Sequence, residues 1–330
     1  MKLRFRAYFL IKVFYFGENY HGLQRQPNLP TIEGELIKTL TEKNYLPKKE
    51  DIPNQWNIPL YAAGRTDAGV SARNMVFGLL SLRDKFYPIE VNLALPKDIK
   101  IWAYAKLNNE EELNNFINNF INKKGQNNDK ELSILDQCKQ LSSKVFLPRY
   151  NALYREYRYY LFKNNTTKDL DHAALKKAIK KLLGKHDFYN FCKNDPDNIK
   201  NTNRTMDEIS FIDRGTYYVF NFKAKSFLWK QIRKTMDVLI KVGTRKWPLS
   251  HIDRLFNRNE TALANSIEPV SGFPLILWDV KYDQTIEQKF EYCPKSMAEI
   301  EKILANLISY LEIKSAIAED IWGSIMGKYY

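Results

Sequence analysis

The chain has 330 residues, 44% of them apolar, enough to bury the core of one large domain or two modest ones, which marks a folded, soluble protein. Lys and Arg number 51 against 38 Asp and Glu, and the resulting charge of +13 favours a polyanionic partner while leaving RNA, DNA and an anionic membrane all open. Cys138, Cys192 and Cys293 are scattered, as are the four His, so neither a disulfide framework nor a paired-ligand metal site is implied, no cofactor is expected, and three reduced thiols fit a cytoplasmic protein.

Basic Lys2, Arg4 and Arg6 precede the apolar residues 7–16, an outline shared with signal peptides. Lys12 interrupts that stretch, no small-residue cleavage site follows, and Tyr, Phe, Ile and Val dominate, so the segment reads as a buried strand. No run of about 18 uncharged apolar residues occurs anywhere, so no membrane span is expected. After a polar loop at 17–30, Thr31 is placed to cap a helix over 31–44 whose apolar positions Ile32, Leu36, Ile37 and Leu40 recur at helical spacing. Residues 58–63 predict a strand running into the Gly64 to Gly69 turn, and 75–82 a strand behind it.

Residues 108–137 change character, rich in Asn, Lys and Glu, with Lys124-Gly125 breaking two helical stretches; this is a polar helical insertion. The second half repeats the coarse order. It opens with a strand at 153–162 and a helix after Asp171 that buries Leu175, Ile179, Leu182 and Leu183 and wets Lys176, Lys177, Lys180 and Lys181. Strands at 208–212 and 217–223, a helix at 227–242 closed by Gly243, a short helix at 250–256 and a strand at 275–282 follow. Residues 296–326 form a helical C-terminal appendage. The expected organisation is α+β, in parts 1–107, 108–137, 138–290 and 291–330.

Asp67 lies between two glycines directly after an apolar strand, so the backbone can turn sharply and hold the carboxylate at the strand end. Taken alone, that is an ordinary Asx turn. The whole string Tyr61-Ala-Ala-Gly-Arg-Thr-Asp-Ala-Gly-Val-Ser-Ala72 resembles the signature of the TruA family of tRNA pseudouridine synthases, with seven consecutive identities from Gly64 to Val70. The resemblance implies that Asp67 is the nucleophile and that Arg65 takes up the space the target base leaves in the RNA.

Further segments match in the same order. Tyr20-His21-Gly22-Leu23-Gln24-Arg25-Gln26 resembles the family's RNA-contacting loop, implying that Gln24 and Arg25 meet RNA, with Leu23 replacing the usual Trp. Arg155-Glu156-Tyr157-Arg158-Tyr159 resembles the second motif, in which the residue matched to Tyr157 packs against the target uracil; Arg155 is placed with the RNA-binding residues, and Tyr159 reads as an alternating core aromatic. The segment from Phe222 through Lys225 and Phe227 to Arg233 resembles a strand-to-helix motif whose Arg pairs with the catalytic Asp, so Arg233 is matched to that role and Lys225 to an RNA contact. A guanidinium facing a carboxylate fixes its direction and balances its charge. Gly184 to Phe191 with Thr202 to Arg204, and Glu268 to Leu275, resemble two weaker family segments, while Arg73, Asn74 and Met75 depart from the pattern and imply altered packing or RNA contact.

The family fold implies two ferredoxin-like subdomains whose antiparallel sheets join around a central basic cleft. The family chemistry implies isomerisation of uridine to pseudouridine in the tRNA anticodon arm, at one or more of positions 38, 39 and 40, after base flipping, in a homodimer and without metal or other cofactor. Two rival readings compete. A non-catalytic RNA-binding protein would need the basic surface but not Asp67, and a metal-dependent phosphate-handling enzyme would need a second acid or a phosphate loop that residues 64–69 lack.

Overall fold

The structure is a computed structural model, describing residues 5–48, 50, 58–107, 146–193 and 201–326. The expected insertion at 108–137 lies outside the described residues.

The first half runs β1 (Ala7–Tyr15), α1 (Ile32–Glu42), β2 (Leu60–Ala62), β3 (Ser71–Ser81), α2 (Pro88–Asn92) and β4 (Ile99–Leu107). All nine residues of β1 are buried, which explains why eight of them are apolar. Its one charge, Lys12, is matched inside by Glu287 at 3.0 Å and by the Phe290 ring at 4.1 Å. Thr31 caps α1 as its position predicts, its hydroxyl accepting from Gly34 N at 3.2 Å. The strand expected at 75–82 is longer, starting at Ser71, because its first residues find partners in both halves of the molecule.

The second half runs α3 (Pro148–Asn151), β5 (Tyr154–Phe162), α4 (His172–Leu182), a hairpin of β6 (Gly184–Asp187) and β7 (Asn203–Met206), then β8 (Glu208–Asp213) and β9 (Tyr217–Ala224). It continues with α5 (Gln231–Gly243), α6 (Ser250–Leu255), α7 (Thr261–Asn265), β10 (Leu275–Lys281), α8 (Gln284–Glu287), β11 (Glu291–Tyr292) and α9 (Pro294–Met326). Asp171 caps α4 through Ala174 N at 2.9 Å, and Leu175, Ile179 and Leu182 form its buried face as the spacing predicts. The helix expected from 227 begins four residues later. Leu228 N donates to the Gln231 side chain at 2.8 Å and Lys230 takes a left-handed φ of 60°, so residues 227–230 form a turn in place of a first helical turn.

Nine strands make one sheet in the order β11-β4-β1-β3-β10-β5-β9-β8, with β2 paired to β3 off that path. Every pairing is antiparallel except the seam, where β10 runs parallel to β3 through Ser71 opposite Ile276 and Ala72 opposite Leu277. The expectation of joined antiparallel sheets therefore holds within each half and not at the join. The chain returns to the first half at its end: β11 pairs with β4, and buried Ser296 at the root of α9 accepts from Asn92 Nδ2 at 2.9 Å. No helix among the described residues is long and apolar enough to cross a membrane.

Candidate active site

Asp67 sits in the loop 63–70 between β2 and β3, and three other segments hold that loop. From the first half, Leu23 N donates to Thr66 O at 3.0 Å, and the Tyr15 and Thr66 hydroxyls share a hydrogen bond of 2.8 Å. Gly17 packs so close that an added Cβ would lie 2.1 Å from Val70 O. From the second half, Gly272 approaches the same loop, and a Cβ there would meet Ala68 O at 2.6 Å. Both contacts are backbone against backbone, so a side chain at either position would push the loop away. Burial drives the Tyr15 phenol well above its ordinary pKa, against the opposing Thr66 hydrogen bond, so at neutral pH it is a protonated partner for Thr66.

Arg233 lies in the first turn of α5, whose opposite face buries Ile232, Met236 and Leu239. Its Nη1 donates to Asp67 Oδ2 at 2.9 Å and its Nε to Val270 O at 2.6 Å. The guanidinium is thus anchored on one side to the backbone while it aims at the carboxylate with the other. The two side chains are only 15% and 21% exposed. Among the described residues Asp67 Oδ1 has no hydrogen-bond partner, so one oxygen is oriented and the other is left available.

Tyr157 is buried in β5, its ring edge-to-face with Phe227 at 5.2 Å. Burial pushes its hydroxyl up to about 12, positive Arg155 pulls the other way, and the Asp67 carboxylate adds to the rise. The structure thus brings Asp67, Arg233 and Tyr157 together from three distant stretches of chain.

The expected RNA-contacting residues divide. Arg65 is exposed next to Asp67, and among the described residues no hydrogen bond or ion pair holds it. Desolvation first, and the like charge of Arg149 second, keep its pKa below the usual arginine range. Gln24 and Lys225 are exposed, while Arg25 is engaged by Glu33 through both its backbone N and its Nε at 3.0 and 3.3 Å. Arg155 corrects the expectation. It is 6% exposed, and its guanidinium donates to the carbonyls of Ala63, Arg149 and Lys225, so it braces the Asp67 loop from inside. Leu23, where the family has Trp, is buried at 2% exposure and serves the core. Of the departing residues, Arg73 donates to Trp278 O at 3.2 Å and Asn74 bonds Asp279, so both serve local packing.

Sequence reasoning passed over Arg149, which is exposed and close enough to Arg65, Arg155 and Arg204 to lower the pKa of each. The signal was its place within Leu147-Pro148-Arg149, on the one-turn helix that leads into the Arg155 strand. Among the described residues no three His, Cys, Asp or Glu side chains gather closely enough to hold a metal ion. The arrangement offers one aimed carboxylate, one anchored guanidinium, a buried tyrosine against a half-buried phenylalanine and, among the described residues, a cation with no ion pair at the opening. It is equipped to attack an electrophilic carbon of a ligand that carries negative charge elsewhere.

The tRNA pseudouridine synthase family matches residues 178–283, a span that contains Arg233 but not Asp67. Longer matches include both. A tRNA pseudouridine synthase A of Methanocella arvoryzae is 31% identical over 86% of this chain and 87% of its own length. That of Archaeoglobus fulgidus is 29% identical over 88% and 89%, and that of Methanobrevibacter smithii 30% identical over 96% of each. A solved structure titled as a Cbf5-Nop10-Gar1 complex aligns with a TM-score of 0.26 and 11% identity over 71% of this chain and 54% of that chain, too slight a likeness to bear on the fold.

Proposed function

The chain belongs to the tRNA pseudouridine synthase A family, and from that premise we propose that it isomerises uridine to pseudouridine in the anticodon arm of tRNA with Asp67 as nucleophile. The observation that carries the proposal is the 2.9 Å pair between Asp67 and Arg233, made by residues 166 positions apart. Isomerisation breaks the C1′–N1 bond, turns the detached uracil and joins C1′ to C5; the hydrogen lost from C5 is balanced by the one gained at N1. A carboxylate nucleophile can carry that sequence, with Arg233 holding its direction and Tyr157 packing against the base.

The target nucleotide has to leave its stack, at a cost of a few kcal/mol. Exposed, unpaired Arg65 fills the vacated space and offsets that cost. Lys225, Gln24 and Arg25 extend the contact along the RNA, Arg25 after exchanging Glu33 for phosphate. One or more of positions 38, 39 and 40 are the proposed targets, reached by shape more than by base sequence. The proposed assembly is a cytoplasmic homodimer. Each chain has two ferredoxin-like halves, 1–107 and 138–290, with 108–137 as an insertion and 291–330 as an appendage.

Pseudouridine mapping on unmodified tRNA transcripts, with wild type and Asp67→Asn, tests the assignment. Wild type is expected to form pseudouridine in the anticodon arm and Asp67→Asn to form none. Product that persists in the variant removes Asp67 from the chemistry, and a wild type that binds tRNA without product makes this an RNA-binding protein.

A further inference from the structure

Trp229 occupies the turn at 227–230 between β9 and α5, and its indole is 51% exposed. The backbone beneath it is fixed: its carbonyl accepts from Lys193 N at 2.9 Å, and the next residue, Lys230, is held left-handed at φ 60°. The ammonium groups of Lys193 and Lys230 lie 4.4 and 5.8 Å from the ring centre. Among the described residues neither lysine forms an ion pair, and both ammonium groups lie over a half-exposed ring.

Trp229 precedes Arg233, which grips Asp67, by four residues, a length of chain that spans at most about 14 Å. The ring therefore stands on the connection that leads into the helix carrying Arg233. Covering it with an apolar protein surface would desolvate two ammonium groups, an expensive arrangement. A polyanion with flat apolar faces suits the same surface.

We propose that Trp229, flanked by Lys193 and Lys230, is a stacking platform for an unpaired nucleobase of the RNA substrate. The base lies on the indole, as every nucleobase can through its π-face, and the lysines meet the adjoining phosphates. The rigid turn presents the ring without an ordering cost on binding. This inference rests on the reading of tRNA as substrate.

The test measures affinity for an unmodified tRNA transcript with wild type, Trp229→Phe, Trp229→Leu and Lys193→Ala, and separately the rate of pseudouridine formation at saturating enzyme. Trp229→Leu is expected to weaken binding about tenfold, the loss of one modest stacking contact, whereas Trp229→Phe keeps most of the affinity. Lys193→Ala weakens binding and lowers the salt dependence by about one phosphate contact. The rate at saturation moves less than about threefold in each. Trp229→Leu binding like wild type, or Trp229→Phe falling as far as Trp229→Leu, overturns the platform. A fall in saturated rate with affinity kept overturns it as well, since Trp229 would then act by positioning Arg233. A wild type that makes no pseudouridine counts against the proposed reaction alone, because affinity is read independently of product.

Discussion

Two ion pairs tie distant parts of this chain together, and their surroundings separate a fastening from a site. Lys12 and Glu287, 275 positions apart, meet at 3.0 Å with side chains 4% and 14% exposed and the Phe290 ring against the ammonium. Asp67 and Arg233 meet at 2.9 Å, but keep 21% and 15% exposure, and Asp67 is gripped through one oxygen only. The first pair has its charge enclosed and links β1 to the segment that returns from the second half. The second lies where Arg65 opens to solvent, with a carboxylate oxygen to spare. Similar charge chemistry is thus enclosed in one place and left open in the other, and what differs is access.

Removing the cation from the open pair should give the largest effect. Arg233→Ala is expected to slow pseudouridine formation about 10³-fold, in the range seen when one preorganised charged partner is lost, with a much smaller loss of tRNA affinity. Single-turnover rates and filter binding separate the two, and an equal loss in both would make Arg233 a phosphate contact. Removing the cation from the closed pair should act on stability instead. Lys12→Met removes the buried cation from Glu287, leaving it Lys281 at 3.9 Å and the Tyr282 N–H at 3.1 Å, and is expected to cost about 3 kcal/mol in denaturant unfolding. Lys12→Met with Glu287→Gln should recover part of that, and the rate per folded molecule should hold; a rate that falls with either would merge the two pairs into one functional unit.

The smallest effect concerns the phenol beside the open pair. Burial raises Tyr157 to about 12, so between pH 10 and 12 the unfolded chain has released a proton that the folded one retains. The unfolded state then binds fewer protons, and stability declines as pH rises through that window, having been fully present below about 10. Tyr157→Phe should flatten that alkaline decline in unfolding midpoints measured against pH, and an unchanged slope would show that Tyr157 does not carry it.

Much of this site is legible in local strings. Asp67 stands out by its glycine-flanked turn and its family signature, and Tyr157 and Arg233 by theirs, because each motif is short and continuous. For Arg155 the motif points outward to RNA while the alternation of β5 points inward, to the same face as Tyr157 two residues on, and the structure follows the alternation. Trp229 was hidden by the helical pattern from 227 onward, since the left-handed Lys230 that turns the chain there leaves no mark in composition.

What the sequence alone determined was local: the buried strand read at 7–16, the capped helices after Thr31 and Asp171, the Asp67 turn, and a basic balance that favours a polyanionic partner. Only the tertiary structure decided that Asp67 and Arg233 meet, that Arg155 braces the loop from within, and that the halves join through a parallel seam of β3 and β10. The reason is physical. Caps, turns and alternation depend on neighbours a few residues away, whereas the meeting of side chains 166 positions apart depends on strand order and on backbone approach at Gly17 and Gly272, which no local propensity encodes.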